Sequence, residues 1–213
     1  MADSRANRLD LNVAALRRWS PDIADLIATA PDDPEIRGQR ARDGTASIVA
    51  VHNGTQPLQI HSRYRPVDEA HRIVTAIPAV ATLIVHGMGA AFIPREFLSQ
   101  HRTGSVIVTE RSYATVRTIL KEIDLAAECG SGRLRVVTTP EELIAAIASV
   151  HLPMIHDGVQ SVELTPWVSR DANRDHFAAL HETIPATLRG IAEEIATMRH
   201  FGRPWLAHTV ENT

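Results

Sequence analysis

The sequence is poor in cysteine and in aromatic residues, and it contains no long uninterrupted hydrophobic segment. Its single cysteine, Cys129, excludes an internal disulfide and is typical of a protein from the reducing cytoplasm. No apolar run approaches the roughly 20 residues that a membrane-spanning helix needs, and the charged N-terminus has no apolar signal core. The sequence therefore predicts a cytoplasmic protein without a membrane partner.

An excess of one charge sign is also missing. The 213 residues include 22 Lys and Arg against 25 Asp and Glu, which gives a formal net charge of -3. This balance offers no electrostatic reason to expect a nucleic-acid partner. The histidines do not cluster either, because the pairs His151/His156 and His176/His181 are five residues apart and no zinc-site spacing occurs. We therefore expect no nucleic acid and no metal, and the sequence leaves the identity of any other cofactor unknown.

The middle of the chain has the pattern of an α/β protein. Residues 81–150 alternate between helix-compatible segments and the apolar runs A-T-L-I-V-H, S-V-I-V-T-E and L-R-V-V-T. Because these runs lack polar alternation, they indicate parallel strands that are covered on both faces. The pattern predicts a Rossmann-like, mostly parallel sheet flanked by helices. The segments L-P-M-I-H and S-V-E-L-T-P-W are candidates for one or two further strands.

The flanking segments have other patterns. The first thirty residues are predicted to be helical, residues 35–44 to form a loop, and two β-rich runs to pair as a hairpin around Asn53-Gly54. Pro66, followed by acidic residues, indicates the start of another helix. From Asp171 to about His200 we expect one long amphipathic helix, or two shorter ones separated at Pro185. The predicted division is 1–65 for the N-terminal helices and β-hairpin, 66–170 for the Rossmann-like core, and 171–213 for a helical extension.

A glycine turn follows the first strand of the predicted core, in L-I-V-H-G-M-G-A-A. Glycines at this place let a ligand approach the backbone, and Glu110 follows the next strand where an acid commonly binds ribose hydroxyls. Gly87, Met88, Gly89 and Glu110 are therefore the predicted binding residues for a nucleoside-containing cofactor. The alternative interpretation is a purely structural turn, and Phe92 at the position of the third glycine of the dinucleotide motif favours it.

A second candidate site follows the hairpin, in H-S-R-Y-R-P. His61, Arg63 and Tyr64 are the predicted substrate-binding residues, because a guanidinium and a phenol at a helix N-terminus suit a phosphate or a sugar. The alternative is local packing of Tyr64 together with a surface ion pair of Arg63, which carries no functional information.

Several of these stretches resemble the N-terminal region of motility-associated factor (Maf) glycosyltransferases. The resemblance rests on N-V-A-A-L-R-R-W-S-P-D-I-A-D-L-I, I-H-S-R-Y-R-P-V-D-E-A and the glycine turn V-H-G-M-G-A-A-F. It implies a domain related to 6-hydroxymethylpterin diphosphokinase-like proteins, in a family that attaches nonulosonic acids to flagellin.

The resemblance also implies what this chain lacks. In the family a separate catalytic domain follows, entered by a segment resembling F-G-R-P-W-L-A-H-T-V-E-N, so the family's transferase residues cannot be mapped onto this sequence and its catalytic residues are unknown. The expected role is that of an accessory domain, with a catalytic glycosyltransferase domain or flagellin as partner, and a homodimer as a further option. The alternative is a stand-alone enzyme or sensor that binds a nucleoside or an S-adenosylmethionine-like ligand at the glycine turn.

Overall fold

The structure of the protein is a computed structural model. It describes the backbone of residues 2–51, 56–150 and 159–211, and the side chains of these ranges from residue 4 to residue 197. Two helices, α1 (Ala2–Arg17) and α2 (Pro21–Thr29), open the chain. Both were predicted from the apolar spacing of the first thirty residues.

A small antiparallel sheet follows the two helices. Its strands are β1 (Ile36–Arg40), β2 (Ala46–Ala50) and β3 (Leu58–Gln59), in the order β1-β2-β3. The predicted pairing of the two β-rich runs is confirmed by β2 and β3, while Asn53-Gly54 lies outside the described residues. The predicted loop over residues 35–44 is wrong, because residues 36–40 pair with β2 along their whole length. Only Ile36 is buried in this edge strand, so backbone pairing rather than apolar patterning creates it.

The main sheet is parallel and confirms the predicted α/β class. Its order is β6-β5-β4-β7, where the strands are β4 (Thr82–His86), β5 (Ser105–Thr109), β6 (Leu134–Val137) and β7 (Val159–Glu163). All five residues of β4 are buried, as a strand covered on both faces requires. The helices between and around these strands are α3 (Pro66–Thr75), α4 (Phe92–Gln100), α5 (Tyr113–Glu122), α6 (Ala126–Gly130), α7 (Pro140–Val150) and α8 (Thr165–Val168). The stretch L-P-M-I-H lies outside the described residues.

The strand order contains one reversal of direction. From β4 the chain adds β5 and then β6 on one side, and it returns to place β7 on the other side of β4. In open α/β sheets such a switch point creates a crevice at the carboxyl ends of the two diverging strands, where ligands commonly bind. The glycine turn after β4 and the segment after β7 both lie at this position.

The C-terminal helix is continuous. It is α9 (Asp171–Glu211), a single element of 41 residues that passes through Pro185. This decides between the two predicted alternatives in favour of one long helix. A proline inside a helix costs about 3 kcal/mol, and apolar contacts on both sides of it offset that cost. Phe177, Leu180 and Ile184 are buried before the proline, and Leu188 and Ile191 pack against the core after it.

One hydrophobic cluster connects all these elements, from Leu9 in α1 to Ile184 in α9. A buried asparagine fixes α1 to the main body. The Asn12 side-chain amide donates to the carbonyl oxygens of Leu120 and Ile123, and its oxygen accepts from the Leu125 N–H. The lone cysteine, Cys129, is buried in α6. Among the described residues, no helix combines the length and apolarity needed to cross a membrane.

Candidate functional site

The turn between β4 and α4 is tight and fully buried. Gly87 and Gly89 have positive φ angles of 88° and 52°, and Ala91 has a φ of 58°. Positive φ is readily adopted by glycine but costs other residues energy. The side chains of Met88 and Ala90 are both 0% exposed. The predicted strand, glycine turn and helix are therefore present, but the turn lies inside the protein.

Glu110 lies beside this turn, as its place after β5 suggested. One carboxylate oxygen, Oε2, accepts the backbone N–H of Met88 at 2.9 Å. The other, Oε1, accepts the backbone N–H of Arg111 at 2.7 Å and the indole N–H of Trp167 at 2.8 Å. Both oxygens are thus bonded to groups of the protein itself. Their role as ribose acceptors stays a prediction.

The environment of Glu110 shifts the pKa of its carboxyl group in two opposite directions. Glu110 is 0% exposed, and this burial raises the pKa of its carboxyl group above the ordinary value. The N–H groups of Arg111, Met88 and Trp167 oppose that shift, because they donate hydrogen bonds to the ionised form. An acid held by three donors suits a structural junction, since a buried carboxylate needs such partners to be tolerated.

His61 contacts the same turn from the other side. Its Nε2 accepts the backbone N–H of Ala90 at 2.8 Å, and its ring lies edge-on to Phe92 with 4.9 Å between centroids. Burial lowers the pKa of His61 to about 4, so the imidazole is neutral at pH 7. An accepting Nε2 places the ring proton on Nδ1, which lies 4.0 Å from Oε2 of Glu69.

The segment after β7 fills the remaining space over the turn. A Cβ atom on Gly87 would lie 3.1 Å from the Trp167 ring, and one on Gly89 would lie 2.1 Å from His61 Nε2 and 2.7 Å from Leu164. Such distances leave no room beside the glycines. Leu164, Trp167 and His61 therefore occupy the volume into which a ligand would approach the backbone. We call this arrangement, Gly87–Ala91 covered by His61, Leu164 and Trp167, the closed turn.

A cluster of charged side chains holds Trp167 in place. The guanidinium groups of Arg111 and Arg170 lie over its ring at 5.0 and 5.2 Å. Arg111 also forms ion pairs with Asp33 and with Glu35, both from the segment before β1. No local sequence pattern predicts this cluster, because its members lie up to 137 positions apart (33 to 170). Arg111 directly follows the predicted acid Glu110 in the sequence, but it was not among the predicted site residues.

The three predicted substrate-binding residues do not form one site. His61 is 5% exposed and faces the closed turn, whereas Arg63 and Tyr64 lie on the surface. The ion pair in this segment joins Arg65 to Asp68 at 3.3 Å. A substrate role for His61, Arg63 and Tyr64 stays a prediction.

A histidine of the main sheet lies against a histidine of the C-terminal helix. His86, at the end of β4, lies 5.5 Å from His181 of α9 between ring centroids, and its Nδ1 is 2.9 Å from Thr109 Oγ1. Burial, and then the neighbouring His181, lower the pKa of His86 to about 4. Within the ranges that the structure describes, no three His, Cys, Asp or Glu side chains are arranged to hold a metal ion.

Fold and site together define a Rossmann-like α/β protein whose switch-point crevice is filled by its own side chains. Among solved structures, it is similar to a MAf glycosyltransferase from Magnetospirillum magneticum AMB-1, with a TM-score of 0.54 and 13% sequence identity. The alignment covers 83% of this chain and 35% of that chain. No protein-family model matches the sequence, and no curated protein matches it. The likeness establishes a shared fold with part of a Maf glycosyltransferase.

The closed turn predicts a large difference between two glycines with positive φ. Gly89→Ala should lower the free energy of unfolding by roughly 3–5 kcal/mol, because the added Cβ meets His61 and Leu164 and the backbone is strained. Gly44→Ala is the matched control, since Gly44 has a φ of +86° but nothing within 4 Å of the added atom. It should cost only about 1–2 kcal/mol. Urea denaturation measures both, and equal losses would show that the turn has free space.

The buried histidine predicts a dependence of stability on pH. The folded-state pKa of His61 is about 4, below the value of 6.5 for a free histidine, so the unfolded chain binds more protons between these values. The His61 contribution is therefore complete above pH 6.5 and is lost as pH falls toward 4. When the pH falls from 7 to 5, the free energy of unfolding should drop by roughly 2 kcal/mol more in the wild type than in His61→Gln. His71→Gln, at an exposed histidine, is the control, and a His61→Gln variant with the wild-type pH profile would contradict the expectation.

Proposed function

We propose that this chain is an accessory domain of a Maf-type glycosyltransferase system that glycosylates flagellin with a nonulosonic acid. Its role is to hold or recruit the catalytic glycosyltransferase domain or the flagellin acceptor in the bacterial cytoplasm. The transfer reaction itself takes place on another domain.

The observation that carries this proposal is the extent of the structural likeness. The alignment includes 83% of this chain but only 35% of the Maf glycosyltransferase. Most of this chain therefore corresponds to about a third of a larger protein, the Maf glycosyltransferase. A part of that size supports a role within a larger transferase assembly.

The closed turn supports the accessory role. The two polar groups best placed for chemistry, the carboxylate of Glu110 and the imidazole of His61, are buried and bonded to the backbone of residues 88 and 90. Groups used in this way are not available to activate an acceptor hydroxyl or to bind a leaving group. This favours a domain that positions partners over one that performs the transfer.

The proposal is tested in a bacterium that carries this gene and glycosylates its flagellin. Deletion of the coding sequence should abolish or strongly reduce the glycan mass on flagellin, and the wild-type gene supplied in trans should restore it. Intact-protein mass spectrometry of purified flagellin measures the change. Flagellin that keeps its full glycan mass in the deletion strain would contradict the proposal.

A biochemical control separates recruitment from indirect effects. The purified chain should form a complex with the catalytic glycosyltransferase domain or with flagellin, detected by size-exclusion chromatography with light scattering. The same measurement on the chain alone shows whether it is a monomer of 23.4 kDa or a homodimer. Loss of glycosylation without either complex would assign the defect to another step.

A second function is favoured by the place of the turn in the sheet. The turn lies at the switch point between β4 and β7, and Glu110 is next to it, which is the usual arrangement of a nucleoside site. Here we propose a nucleoside-containing ligand, such as S-adenosylmethionine, that binds after Leu164 and Trp167 move away. A stand-alone enzyme or sensor would then be the function.

A thermal-shift panel distinguishes the two proposals. A ligand that binds the native state must raise the melting temperature, so the second proposal expects a rise with S-adenosylmethionine, NAD or CMP and its loss in Glu110→Gln. The accessory-domain proposal expects no rise with any of them. An unchanged melting temperature over the whole panel would remove the second function.

A further inference from the structure

We propose that the surface pocket beside Tyr64 binds a small organic phosphate, with the phosphate held by arginine side chains and the organic part lying against the tyrosine ring. The pocket has a volume of about 470 Å³ and is lined by Ser62, Tyr64, Arg65, Asp68, His71 and Arg72. This volume lies in the range of small-molecule sites. The inference does not depend on the glycosyltransferase proposal, because it rests on this pocket alone.

Tyr64 is exposed but held in a defined position. The residue is 58% exposed, so packing in the core does not explain the position of its side chain. The guanidinium of Arg42 lies over the ring at 4.7 Å, and Ser62 Oγ accepts the Tyr64 backbone N–H at 3.3 Å. The Arg42 backbone N–H also donates to the carbonyl oxygen of Arg63 at 2.9 Å. A fixed, exposed aromatic ring offers a flat surface on which a sugar or base can stack.

Two arginines, Arg65 and Arg72, line the pocket together with this ring. Arg65 Nη1 lies 3.3 Å from a carboxylate oxygen of Asp68, and Arg72 Nε lies 3.4 Å from the Asp68 carbonyl oxygen. Both groups therefore lie near one residue, although they are seven positions apart in the sequence. These contacts are long for charge-assisted hydrogen bonds. The two arginines are thus weakly bound to their own neighbours and have donors left for a phosphate.

The acidic groups around the pocket are already paired. The Asp68 carboxylate pairs with Arg65, while Arg72 contacts the Asp68 backbone carbonyl oxygen. Glu96 of α4, which is not among the lining residues, accepts hydrogen bonds from His71 at 2.8 Å and from Gln100 at 2.6 Å. Among the residues that line the pocket, Arg65 and Arg72 stand against one aspartate, and this net charge of +1 favours an anion. Arginine forks match the geometry of phosphate oxygens.

The test is a titration of the purified full chain, followed by two-dimensional NMR or isothermal calorimetry. The probes are inorganic phosphate, ribose 5-phosphate and AMP, with ribose and adenosine as their neutral counterparts. The proposal expects the three phosphate-bearing probes to bind and the two neutral ones to fail. A comparison of the binding of AMP and ribose 5-phosphate then shows whether a base or a sugar lies on the Tyr64 ring.

Single substitutions at exposed positions assign the binding to this pocket. Arg65→Gln and Arg72→Gln should each weaken the binding of all phosphate-bearing probes by about tenfold or more. Tyr64→Leu should weaken ribose 5-phosphate and AMP and leave inorganic phosphate unchanged. Arg174→Gln is the matched control, because Arg174 is an exposed arginine that also pairs with an aspartate three positions away. It should bind every probe like the wild type.

Three results would overturn the proposal. The first is the absence of binding by any phosphate-bearing probe below about 10 mM. The second is binding that Arg65→Gln and Arg72→Gln leave unchanged, which would place the anion elsewhere. The third is binding of the organic phosphates that Tyr64→Leu does not weaken, which would leave only an ion site. Circular dichroism of each variant confirms that the fold is intact.

Discussion

The carboxylate of Glu110 is the contact on which this structure depends. It accepts hydrogen bonds from the Met88 and Arg111 backbones and from the Trp167 indole, and so joins the ends of β4 and β5 to the segment that follows β7. The group is completely buried, which is costly for an acid unless donors surround it. Because each donor comes from a different segment, the carboxylate fixes three parts of the chain relative to one another at the carboxyl edge of the sheet.

The consequence for function follows from this junction. The residues that make a nucleotide-binding turn in many α/β proteins are present, yet here they bind protein groups from two sides, His61 in one direction and Trp167 in the other. Arg111 and Arg170 hold the tryptophan in turn. The turn and the acid that are typical of a ligand site thus connect segments of the protein to one another.

The fold could be predicted from the sequence where burial controls the residue pattern. The apolar runs of β4, β5 and β6 predicted parallel strands, and the position of Glu110 after β5 predicted its approach to the glycine turn. The pattern failed for β1, an edge strand with a single buried residue. Closure of the turn could not be predicted, because it depends on where β7 is placed. That strand lies next to β4 although its first residue, Val159, comes 73 positions after His86 (86 to 159), the last residue of β4, and no local pattern determines such a neighbour.

The closed turn is tested most directly by amide hydrogen exchange of the native protein at neutral pH. The N–H groups of Met88 and Ala90 are bonded to buried side chains, Glu110 and His61. If these bonds close the turn, both amides exchange as slowly as those in the middle of β4, because they open only when the surrounding core opens. Fast exchange at Met88 and Ala90, with the β4 amides still protected, would show an open turn and would contradict this account.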